Sequence, residues 1–136
     1  MLTKPEDGWV NVKLEGFSER ASYMTDIPND CMDAFIYSLQ NNLPTVIYFD
    51  AEGWDFHLVA SWYRSYIVLD KDDVKVFVIK KDLFELAKEL YEDINNNLND
   101  WLNWGYADDG EELKEYRKKL ILKLNTLGEE LAKREK

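Results

Sequence analysis

The sequence predicts an α+β fold: an antiparallel sheet of about five or six strands, one early helix and two helices at the C-terminus. Two observations predict the class. Strand-like segments are grouped ahead of Leu83 with one helical stretch among them, and helical periodicity takes over from there. The turns between neighbouring strand segments are too short for the crossovers that parallel pairing needs. Length then sets the domain count. The 136 residues suit a single domain, 1–136, that can bury a core without a disulfide or a metal.

Residues 9–24 open with alternation. Val10, Val12 and Leu14 point one way, and Asn11, Lys13 and Glu15 the other, the period of a half-buried strand. Gly16 interrupts it, and a second strand around Arg20 to Met24 completes a hairpin. The stretch TDIPND reads as a helix start. Thr25 or Asp26 can accept the free backbone N–H groups, and Pro28 fits the first turn. Met32, Phe35, Ile36 and Leu39 follow at helical spacing, and Pro44 forbids continuation, so this helix spans roughly residues 28–42.

TVIYFD is a continuous apolar run, the pattern of a well-covered strand. DAEG supplies a turn. In the next strand Trp54, Phe56, Leu58, Ala60 and Trp62 share one face, and Asp55, His57, Val59, Ser61 and Tyr63 the other. YIVLD, a DKDD turn and VKVFVI add two more strands. From Leu83 the apolar positions run at helical spacing through Leu102, with Gly105 as the stop. After the loop YADDG, Asp109 with Glu112 forms a capping-box-like start to the last helix.

Composition removes several functions. A net charge of −10 disfavours nucleic acid, because phosphate contacts need clustered lysine and arginine. No stretch approaches the roughly 20 apolar residues that span a bilayer. The N-terminus lacks the apolar segment of a signal peptide. The single cysteine, Cys31, suits a reducing compartment, so a cytoplasmic location is expected. One histidine and one cysteine cannot assemble an ordinary zinc site. DKDD lacks the glycine and distal glutamate of a calcium loop. No phosphate-binding or dinucleotide motif is present. No metal and no cofactor is expected.

The only histidine, His57, shares a strand face with Asp55 and Ser61. A base and its orienting acid are conceivable there, but i, i+2 spacing on a strand holds side chains roughly 7 Å apart, beyond a direct hydrogen bond. Asp50, Glu52 and Asp55 crowd the 50–55 turn, and acid–base work would require one of them to be buried. A small hydrolase built on His57 and these carboxylates is therefore the second hypothesis.

The more informative stretch is 85–112. It carries Glu85, Glu89, Glu92, Asp93, Asp100, Asp108, Asp109, Glu111 and Glu112 against one lysine, Lys88. Inside it, NNNLNDWLNWGY sets Trp101, Trp104 and Tyr106 among asparagines, which are mediocre helix formers. Tryptophan and tyrosine ringed by polar residues suit an interface anchor with a polar rim. The competing expectation is that both tryptophans close the core at the helix end. Trp101, Trp104, Tyr106, Asp108 and Asp109 are the candidate partner-binding residues.

Ser22-Tyr23-Met24-Thr25-Asp26 ahead of a helix, and Phe49-Asp50-Ala51-Glu52-Gly53 between aromatic strands, resemble segments of small acidic bacterial proteins. Some of these are similar to the immunity proteins that accompany secreted toxins. The resemblance implies binding and carries over no catalytic residue. The expected function is a non-enzymatic acidic protein-binding domain, an immunity-type inhibitor of a basic partner. A homodimer pairing its aromatic patches is the third hypothesis.

Overall fold

Gly16 has a φ of 82°, a left-handed conformation that suits glycine, and the two-residue loop Glu15-Gly16 closes the first hairpin. The computed structural model describes residues 1–135. Its elements are β1 (Trp9–Leu14), β2 (Phe17–Ser22), α1 (Ile27–Asn41), β3 (Thr45–Asp50), β4 (Asp55–Ala60), β5 (Ser65–Lys71), β6 (Asp73–Ile79), α2 (Leu83–Asn96), α3 (Leu98–Leu102) and α4 (Glu111–Arg134). The α+β class, the early helix and the C-terminal clustering of helices are as the sequence predicts. The strands pair antiparallel throughout, but they divide into two sheets, a β1–β2 hairpin and a four-stranded meander ordered β3-β4-β5-β6. Strand β2 begins at Phe17, directly after the turn, rather than near Arg20.

The two sheets meet through aromatic side chains. Phe17 of β2 lies between Phe56 of β4 and Phe77 of β6, with ring centroids 5.4 and 5.2 Å away. Phe49 stacks on Phe56 at 5.0 Å. Helix α1 packs on β3 and against α2 and α4. Its buried residues include Ile27, Cys31, Met32, Phe35 and Leu39. Asn42 ends α1 in the left-handed conformation with a φ of 57°, one of the few roles asparagine fills readily.

Local signals were redirected in four places. Asp26 holds the N-cap position of α1, but its carboxylate makes no cap bond and instead accepts from Tyr116 and Asn29. Asp109 and Glu112 do not form the capping box. Gly110 is the N-cap of α4 and offers no side chain. A capping box does form at α2, between Asp82 and Glu85. The long helix expected from Leu83 breaks at Asn97, where the backbone leaves helical geometry and the side-chain amide donates to the Asp93 carbonyl.

TVIYFD is covered on one face only, less than its apolar run suggests. In β3, Ile47 and Phe49 are buried while Val46 and Tyr48 are exposed. The same holds across the meander. Its inner face enters the core through Ile47, Phe49, Phe56, Leu58, Ile67 and Leu69, and its outer face is open to solvent.

The N-terminus is tied to α2. The Met1 ammonium bonds Glu89 and Asp93, the Leu2 amide donates to Asp93, and Lys81 pairs with Glu89. Burial works to raise the Glu89 pKa, but these cations outweigh it and hold the carboxyl below its ordinary range.

Candidate partner-binding surface

The stretch from α3 to α4 places its five candidate residues in two different environments. Trp101 is fully buried and Trp104 only 5% exposed, packed edge-on at 5.1 Å. These two are core residues, which corrects their expected place on a partner surface. The break at Asn97 turns α3 inward, so the aromatic rings cap the core instead of projecting from the end of a longer helix. Tyr106 is 40% exposed, and Asp108 and Asp109 are exposed in the loop before α4.

A hydrogen-bonded chain fixes this loop. The Trp104 indole N–H donates to the Tyr116 hydroxyl at 2.9 Å, and that hydroxyl donates to Asp26 at 2.8 Å. Asn29 donates to the other Asp26 oxygen at 2.9 Å. The chain thus links the loop, α4 and the start of α1. Burial, and then the Asp26 charge, push the Tyr116 phenol well above its ordinary range, so it stays a donor. Tyr106 stacks over Trp104 with centroids 6.1 Å apart and rings nearly parallel. Partial burial, then Asp26 and Asp30, raise the Tyr106 phenol as well.

Beside this aromatic cap lies an open cleft of about 670 Å³ between the N-terminal turn, Tyr23 and α3. Asp7, Asp100 and Asn103 line it, with Trp104 at its edge. Tyr23, 45% exposed, lies against two glycines. A Cβ on Gly8 would stand 3.0 Å from the Tyr23 ring, and one on Gly105 would stand 3.7 Å away. Both glycines have positive φ, which favours glycine, and at Gly8 the closeness of the ring favours it as well. Lys4 approaches Asp100 at 3.9 Å, an exposed pair worth little. Asp7, Tyr23 and Gly8 were not among the predicted site residues. Their signal was present in the Asp7-Gly8 turn dipeptide, but pairing that turn with Tyr23 and α3 required the fold.

The 49–63 stretch is the β3–β4 hairpin with the turn that follows it. Glu52 and Gly53, with φ of 57° and 138°, make the hairpin turn, and Asp50 accepts the Glu52 amide at 2.7 Å. Trp54 donates to Glu19 and lies under Lys71 at 4.2 Å. His57 stands between Tyr48 and Val68 on the outer sheet face, its ring 5.1 Å from that of Tyr48. Ser61 is not directed at it, because its hydroxyl donates to the Arg64 carbonyl within a turn. Asp55 is the pair partner of Asp50 and Asp70, not of His57. Among the described residues, no cluster of His, Cys, Asp and Glu is arranged to hold a metal ion. Among them, too, no helix is long and apolar enough to cross a membrane.

No protein-family model matches the chain, and no curated protein or solved structure matches it.

Proposed function

We propose that the chain is a protein-binding domain acting by occlusion, in the manner of an immunity-type inhibitor, and that its contact surface is the acidic cleft around Tyr23. The observation that carries this reading is the meeting, in one open hollow, of a half-exposed tyrosine with the carboxylates of Asp7 and Asp100. An arginine entering the hollow can stack its guanidinium on the ring while pairing with a carboxylate. Tyr106, stacked on the cleft residue Trp104, and the exposed Asp108 and Asp109 that follow it in the chain add acidic and aromatic surface ahead of α4. The net charge of −10 speeds encounter with a basic protein. The cytoplasm is the compartment proposed for this binding, since it suits an unpaired, fully buried Cys31.

The test is a titration of the labelled protein with a short arginine-bearing peptide, followed by amide chemical shifts at low salt and at about 0.5 M salt. Shifts are expected at Gly8, Tyr23, Asp100 and Gly105, fading at high salt. Asp100→Lys should weaken binding by roughly fivefold or more, as loss of a close charge pair does. Shifts scattered over the whole surface, or equal shifts with an uncharged peptide, would count against the cleft.

A further inference from the structure

The outer face of the meander is remote in kind from the acidic cleft, being apolar at its centre. Its ladders align side chains into rows across the four strands. Val46, Val59, Tyr66 and Val78 form one row, and Tyr48, His57, Val68 and Val76 the next. Val46, Val76 and Val78 are 56%, 61% and 53% exposed. Asp50, Asp55 and Asp70 form a third row at one end, directly opposite one another on neighbouring strands. Like charges so placed destabilise a sheet. At the other end, Arg64 and Lys80 line one shallow hollow with Tyr63 and Val78. Among the described residues, neither the three carboxylates nor these two cations form an ion pair.

We propose that this face binds the same face of a second copy of the chain, with the strands of the two sheets running in opposite directions. A two-fold contact must be complementary to itself. Here a two-fold axis between the sheets and across the strands lays β5 on β5 and so brings Asp70 of each copy over the other copy's Arg64, with Asp55 on one side of that pair and Lys80 on the other. The same operation lays the valine and tyrosine rows on one another, at the roughly 10 Å spacing of packed sheets. An axis along the strands would set aspartate on aspartate, so charge selects the first arrangement. Four strands about 4.8 Å apart and about 20 Å long project roughly 400 Å² per copy. That is the size of a functional apolar patch and the low end for association. The dimer is therefore reversible.

Sedimentation equilibrium of the full chain from about 5 to 500 µM tests it. The average mass should climb from monomer toward dimer across this range. A chain that stays monomeric throughout overturns the proposal and leaves the face to a different protein. Val68→Asp, a charge on the central strand β5 in the middle of the contact, should weaken the dimer by about tenfold or more, and a dimer indifferent to it also overturns the proposal. Charge exchange tests the orientation. Asp55→Lys with Asp70→Lys makes both ends basic, and Arg64→Glu with Lys80→Glu makes both ends acidic. Each protein alone should be monomeric, and an equimolar mixture should dimerise. A mixture that stays monomeric while both proteins keep their native circular dichroism overturns the arrangement. If a double variant loses its native spectrum, Asp70→Lys and Arg64→Glu alone make the same exchange. None of these substitutions touches the Tyr23 cleft, so peptide binding there succeeds or fails independently.

Discussion

Trp104 shows how one residue can fit two functions in sequence and only one in structure. Among asparagines and aspartates it reads equally as an interface anchor or as the end of a core. Its hydrogen-bond partner is Tyr116, and Tyr116 in turn reaches Asp26, 90 positions away, which no local pattern reveals. Trp104→Ala should therefore lower folding stability by about 3–5 kcal/mol, as buried aromatic truncation does. Tyr116→Phe keeps the ring but leaves the indole N–H and one Asp26 oxygen without a partner, and should cost about 1–3 kcal/mol. Urea unfolding of the isolated variants measures both, and a Trp104→Ala protein as stable as the parent would return this residue to the surface. Cys31 was legible from its place on the amphipathic stripe, and it is fully buried. Burial pushes its thiol well above the ordinary range, so thiol reagents should label it only as fast as the protein opens. Rapid labelling under native conditions would contradict that.

Elements were read well where local chemistry decides them and poorly where neighbours do. The β1–β2 turn, the end of α1 near Pro44 and the meander turns follow from glycine, proline and charged punctuation. The division into two sheets does not, because it depends on Phe17 finding Phe56 and Phe77. The apolar run in β3 suggested a well-covered strand, yet three substantial helices and one hairpin cannot cover both sides of four strands. Helix α2 carries a further dependence invisible in sequence, its tie to Met1 through Glu89 and Asp93. With its folded pKa held below the ordinary 4.5, Glu89 contributes stability that is complete above that value and is lost as pH falls through the lowered one. Glu89→Gln should thus be less stable than the parent at neutral pH, and the gap should close on acidification below about pH 4.5. Unfolding midpoints measured from neutral pH downward check this, and a gap that widens in acid would refute it.

At the scale of the whole molecule, one sheet has two faces with opposite tolerance. Leu58 points inward with no exposure, and Leu58→Ala should cost about 2–5 kcal/mol. Val76 points outward, and Val76→Thr should change the stability of dilute protein by no more than about 0.5 kcal/mol. Equal losses at both positions would mean that the outer face is covered within the monomer. The helical layer has a different asymmetry, in sequence distance. Lys123 reaches Asp33, and Arg134 reaches the Leu39 carbonyl, across 90 and 95 positions. The meander strands, by contrast, pair only with their immediate successors. During synthesis the hairpins can close as they emerge, while α1 waits for α4. At roughly 5–20 residues per second that wait lasts about 5–20 s. Chains stalled before Leu113 should be cut by protease within α1 and protected once Arg134 has cleared the ribosome. For those seconds the nascent protein is a formed sheet beside an adhesive helix, and chaperones meet it in that form.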